Sequence, residues 1–169
     1  MAHPSSRSMT RVGEPEWIER PGGYRAWEQA VRVWTGDAYW HAARLELLRW
    51  GVKTRSGFTV ELDAPVSVGA RPVIIARPLG LAIREPVEVV EVIDTECRVG
   101  FAYRTLPGHP VSGEEAFILT RDEDASSLTI PSLTRPGDRL WWRLAFPALL
   151  VAQRLARRRY LRALLPDRL

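Results

Sequence analysis

Between residues 58 and 134 apolar and polar positions alternate, the pattern of strands with one buried face. Six segments carry it, at 58–62, 71–78, 85–94, 97–106, 113–122 and 126–134. They are rich in Val, Ile, Phe and Thr, and short polar or glycine turns divide them. Those connections are too short for crossover helices, so the spacing predicts an antiparallel meander. Ahead of it the period lengthens. Trp27, Val31 and Trp34 recur at i, i+4, i+7 and predict a short helix over 24–34. Trp40, Ala43, Leu47 and Trp50 form one stripe and predict a second helix over 38–53, with Asp37 as its N-cap. EWIER, at 16–20, predicts a short first strand, broken by Pro21, Gly22 and Gly23. After Pro136-Gly137-Asp138 a long final helix is expected, with Pro147 in its first turn and Pro166 beyond its end. Leu149, Gln153, Ala156, Tyr160 and Leu164 share one of its faces, and Arg154, Arg158 and Arg162 lie opposite. Such a helix covers a sheet with one side and presents arginine to water with the other.

A meander this wide cannot bury one face without cover. The order of elements therefore predicts an α+β fold of the helix-grip kind. It has two N-terminal helices, a curved antiparallel sheet of six or seven strands, and a long C-terminal helix gripped by the sheet. A β-barrel with peripheral helices is the competing layout. Residues 1–15, polar with Pro and Gly, predict a disordered tail, and 16–169 a single domain.

Composition narrows the function classes. Cys97 is the single cysteine, which excludes an internal disulfide and zinc sites needing two cysteines from one chain. No metal or cofactor is expected. The start has no apolar core of a signal sequence, and the run at 144–152 is far short of the roughly 20 residues that span a bilayer. A cytoplasmic location follows as the default. The formal charge is +4, almost all of it arginine; Lys53 is the only lysine. Eight arginines and one acid follow Asp138. Such a segment is ordinarily a solvated helix face. It also suits a lipid interface, with Trp141 and Trp142 at headgroup level, and it carries no nucleic-acid recognition motif.

The chemistry concentrates in FAYRTLPGHPVSGEEAF, residues 101–117. Leu106-Pro107-Gly108-His109 fits a type II turn, with glycine where φ must be positive. If the aromatic faces of the two flanking strands coincide, Glu115 points inward beside Tyr103 and Thr105, and Glu114 points out. An inward Glu115 needs a partner, and His109, Arg104 or a tyrosine hydroxyl would serve. A His109–Glu115 pair with Tyr103 as donor is the minimum for acid–base work, and equally the minimum for a rigid loop.

This stretch resembles the hallmark motif of an uncharacterised family, DUF1990, also called UPF0548. LLRW at 47–50 is similar to that family's helix-to-strand junction, and residues 132–165 resemble its ending. The resemblance covers about 24–165. The element order looks like the START and Bet v 1-like (SRPBCC) superfamily. Two positions depart from the family pattern: Arg104 replaces a usual glycine, and Lys53 stands where a histidine is usual. The second weighs against a two-histidine or metal site here. Helix-grip relatives imply a cavity between sheet and C-terminal helix that takes a small hydrophobic or amphipathic ligand. Tyr103, Arg104, Thr105, His109, Glu114, Glu115, Gln153 and Tyr160 are the candidate ligand-binding residues. The alternatives are an enzyme using His109 and Glu115, and a peripheral membrane or protein-interaction module using the arginine-rich helix.

Overall fold

The computed structural model describes residues 8–18, 20–123 and 125–166. All six expected strands form, as β2 (Thr59–Val60), β3 (Val73–Ala76), β4 (Ile83–Asp94), β5 (Arg98–Thr105), β6 (Val111–Arg121) and β7 (Ser126–Pro136). A strand β1 (Arg25–Val33) precedes them, and α1 (Asp37–Leu48) and α2 (Gly51–Thr54) lie between β1 and β2. Helix α3 (Leu140–Tyr160) ends the fold. The sheet runs β1-β7-β6-β5-β4-β3-β2, antiparallel throughout. This is the expected helix-grip α+β architecture with seven strands.

The seventh strand is not the expected one. The segment read as a helix over 24–34 is β1, which pairs along its whole length with β7. Trp27 and Val31 are four apart, and an even spacing shares a face in a strand as well as in a helix. Trp34, which completed the helical reading, is exposed. The open edge of β7 decided between the two. Residues 16–18 and 20 form no strand, and Glu19 lies outside the described residues. Trp17 instead donates from its indole to the Met9 carbonyl at 2.9 Å.

The stripe of α1 is buried as expected, with Trp40, Ala43, Leu47 and Trp50 in the core. Gly36, at φ 105°, occupies the N-cap position rather than Asp37. Asp37 is the first helical residue, and Arg121 donates to its carboxylate at 2.7 Å. The expected single helix breaks at Trp50, whose φ of 64° is left-handed. That turn drives the indole edge-on against Phe101, 4.9 Å between ring centres. A β-carbon at Gly51 would lie 2.5 Å from the Glu46 carbonyl oxygen, so the sharp restart requires glycine. In α3, Pro147 falls in the interior rather than the first turn, because the helix starts at Leu140. It leaves the Arg143 carbonyl without its helical donor.

Two apolar clusters use the two sheet faces. The larger joins Val87, Val89, Phe101, Phe117, Leu119, Leu128 and Ile130 of the concave face to α1 and the chain after α3. The Tyr39 hydroxyl donates to the Leu164 carbonyl at 2.6 Å and ties these ends together. The smaller cluster lies on the outer face, where Val12 covers Ala102, Ala116 and Ile118. The tail expected over 1–15 is thus held from Ser8 onward, and residues 1–7 lie outside the described residues.

Candidate functional site

Strand register builds the site. Tyr103 of β5 faces Glu115 of β6, and the tyrosine hydroxyl donates to the Glu115 carboxylate. Both side chains point to the concave side, as the alternation required. Arg104 faces Glu114 one residue on, and these point outward. Arg104 donates from Nε to Glu88 at 2.8 Å on the outer face. Glu114 is buried there under the N-terminal segment. It accepts from the Thr10 amide at 2.7 Å, the Thr10 hydroxyl at 2.6 Å, the Ser8 hydroxyl at 2.6 Å and the Met9 amide at 3.1 Å. Of the candidate ligand-binding residues, Arg104 lies outside the cavity in a surface ion pair, while Glu114 anchors the chain start through its carboxylate and is also among the residues that line the cavity.

Between the concave face and α3 lies a cavity of about 500 Å³. Its innermost group is Lys53, carried into the core by α2. Lys53 Nζ donates to Glu115 Oε2 at 3.0 Å and to the Tyr160 hydroxyl at 2.7 Å. Four aromatic rings surround the ammonium, at 4.5 Å for Tyr160, 5.0 Å for Phe58, 5.1 Å for Tyr103 and 5.6 Å for Phe117. Burial opposes the charge of Lys53, but Glu115, the tyrosine hydroxyls and Glu85 hold it well above the usual lysine range. Burial likewise opposes ionisation of Glu115, and Lys53, Tyr103 and Arg157 together hold it below the usual carboxylate range. The pair is a buried, charged ion pair. Burial pushes both Tyr103 and Tyr160 up, so each is a neutral hydroxyl.

Glu85 also lines the cavity, from β4. Burial raises it to about 7, with Lys53 pulling down and Glu115 pushing up. His109 sits at the end of the expected type II turn, where its amide donates to the Leu106 carbonyl at 3.1 Å and Gly108 has φ 99°. Its Nδ1 accepts from the Val111 amide at 3.1 Å, which leaves the proton on Nε2. Burial, with Lys53 nearby, lowers His109 to about 3. The His109–Glu115 hydrogen bond considered from the sequence does not form: Glu115 is engaged by Lys53 and Tyr103, and His109 by the backbone. Thr105 lines the cavity, and its hydroxyl accepts from the Gly113 amide at 3.0 Å.

Gln153 and Tyr160 lie on the inward face of α3, as the helical wheel required. Arg157 joins them; it donates to Ser132 Oγ at 3.1 Å and stacks over Trp27 at 4.2 Å. Gln153 Oε1, Arg157 Nε and Ser56 Oγ are buried without a partner, and all three residues line the cavity. Sequence reasoning missed Lys53, Glu85 and Arg157. One signal was present for Lys53: a chain that otherwise uses arginine keeps a single lysine there. Among the described residues no cluster of His, Cys, Asp and Glu has metal-binding geometry.

The model of a family described as a domain of unknown function, DUF1990, matches residues 8–163. A UPF0548 protein of Deinococcus radiodurans is 32% identical over 165 residues, covering 89% of this chain and 78% of that protein. Among solved structures, a hypothetical protein of Helicobacter pylori, jhp0584, superposes with a TM-score of 0.61 at 11% identity, covering 88% of this chain and 91% of the other. TTHA0849 of Thermus thermophilus gives 0.57 at 13% identity, covering 83% and 93%. The Bet v 1-like protein Ara h 8.0201 gives 0.53 at 12% identity, covering 84% and 99%. At such identities these likenesses show the fold alone.

Proposed function

We propose that this chain, which belongs to the uncharacterised DUF1990 family, binds a small amphipathic ligand in the cavity between its sheet and α3. The observation that carries this reading is the cavity itself. Its volume is in the range of small-molecule sites, its walls are mainly apolar with charged groups among them, and three buried polar atoms on its lining lack partners. Such atoms are costly unless something complements them. Phe58, Ile83, Leu149 and Ala156 offer the wall for a hydrocarbon or aromatic body. Gln153 Oε1 accepts and Arg157 Nε donates one helical turn apart, which suits a head that carries both a donor and an acceptor.

The test is a fluorescence titration with an anilinonaphthalene sulfonate dye, alongside native mass spectrometry of the purified protein. Dye binding that Ala156→Trp abolishes, and that fatty acids or aromatic acids displace, is the expected result. Dye binding unchanged by that filling substitution, with no co-purified molecule, sinks the reading.

A second reading, acid–base catalysis on the bound ligand, is favoured by Glu85 rather than His109. A carboxyl at about 7 exchanges protons at neutral pH. His109, at about 3, stays neutral there and has its Nδ1 occupied. Mass spectra of ligand recovered from wild type and Glu85→Gln protein compare the two. A mass difference supports catalysis, and identical species exclude it.

A further inference from the structure

The cavity opens between α3 and the turn after β3, and the opening is rimmed by exposed apolar side chains. In the turn, Pro78, Leu79 and Leu81 are exposed, and Leu79 is fully so. Leu79 also has φ 51°, a left-handed conformation that a leucine adopts only at a cost in strain. It makes no return through packing, since nothing covers it. On α3, Leu140, Leu144, Val151 and Leu155 are exposed at i, i+4, i+11, i+15, one outward stripe on the arginine-bearing side of the helix, of which Leu155 reaches the cavity lining. Leu79 and Leu155 both line the opening. Trp141 is exposed at the start of the stripe and stacks on Trp142, 4.9 Å between ring centres.

The charge on the α3 side of this surface is predominantly positive, with Asp138 ahead of the helix as an exposed acid. Arg77 flanks the turn, and Arg139, Arg143, Arg154, Arg158 and Arg162 are exposed along and beside α3. No Asp or Glu occurs from Leu140 to Tyr160. We propose that the mouth of the cavity docks onto an anionic lipid bilayer, with the turn at Leu79 and the outer stripe of α3 as its two contact edges. The leucines enter the acyl boundary while the arginines meet headgroup phosphates. No described helix is long and apolar enough to cross the membrane, so the contact is peripheral.

The experiment is co-sedimentation of the full chain with phosphatidylcholine vesicles, with and without about 30 mol % phosphatidylglycerol. Binding to the anionic vesicles, weakened by salt, is expected. Leu79→Gly removes the apolar tip and relieves the left-handed strain, so it is expected to keep or raise thermal stability while lowering vesicle partition about tenfold. Arg154→Gln with Arg158→Gln is expected to lower binding to anionic vesicles by more than about tenfold. No co-sedimentation, equal binding to both vesicles, or indifference to Leu79→Gly overturns the proposal. A concentration-dependent dimer dissolved by Leu144→Glu, without vesicle binding, overturns it in favour of a second copy of the chain. Vesicle binding reads the outer surface and dye binding reads the cavity, so failure of one leaves the other standing.

Discussion

Lys53 Nζ lies 3.0 Å from Glu115 Oε2, joining the short helix after Trp50 to the middle of β6 inside the cavity. Lys53 is buried and Glu115 nearly so, and aromatic rings surround the ammonium, with Glu85 as a second carboxylate acting on it. The pair holds two elements that are 62 residues apart in sequence. It also sets the charge at the closed end of the cavity.

Removing one partner is therefore expected to cost more than the pair contributes. Lys53→Met leaves the Glu115 carboxylate without its main counterion, with only Tyr103 and Arg157 to support it, and should lose about 3 kcal/mol in denaturant unfolding. Adding Glu115→Gln should recover most of that loss. A single variant as stable as wild type would mean that the pair is not buried in solution.

Glu114 is expected to act on stability alone. Glu114→Ala strands the donors of Ser8, Met9 and Thr10, at a cost of about 2–3 kcal/mol. Amide exchange at residues 9–13 should accelerate, because Glu114 and Val12 anchor that segment. Dye affinity in the cavity should not change. A loss of dye affinity at full stability would place Glu114 in the site instead.

Two glycines of the central loop separate by mechanism. A β-carbon at Gly113 would lie 1.8 Å from the Leu133 carbonyl oxygen, so Gly113→Ala must push β6 from β7 and should cost more than about 3 kcal/mol. At Gly108 the nearest atom would be 3.9 Å away, and only the positive φ opposes alanine. Gly108→Ala should cost about 1 kcal/mol. Thermal or urea unfolding of both variants measures the contrast, and equal losses contradict it.

The pH dependence of stability has two opposing contributors. His109 is lowered from 6.5 to about 3, so below 6.5 the unfolded chain binds a proton that the fold refuses. Stability from this group falls as pH is lowered from 6.5 toward 3. Glu85 is raised from 4.5 to about 7, so between these values the fold keeps a proton that the unfolded chain releases. Stability from this group falls as pH rises through that window, and is level above it. Between 4.5 and 6.5 the two slopes oppose and the wild-type profile should be shallow. His109→Asn keeps an acceptor for the Val111 amide and should uncover the Glu85 slope, about 1 kcal/mol per pH unit. Glu85→Gln should uncover the reverse slope. Two variants with the same profile as wild type would refute both assignments.

By itself the sequence determined much of what depends on local period and turn chemistry. Alternation of two placed six strands. The stripe from Trp40 to Trp50 placed the core face of α1, and Pro107-Gly108 placed the type II turn. Register by alternation was enough to send Glu115 inward and Glu114 outward, since a residue and its neighbour must face opposite sides of a strand. What the tertiary structure alone decided was which distant groups meet. The segment at 24–34 fits helix or strand by spacing, and only the free edge of β7 makes it a strand. Glu114 gained its partners from a chain start 104 residues away. Glu115 found Lys53 rather than His109, because the left-handed turn at Trp50 swings α2 beneath β6. Periodicity has no term for such encounters. They follow from how the sheet curves and which ends of the chain close it.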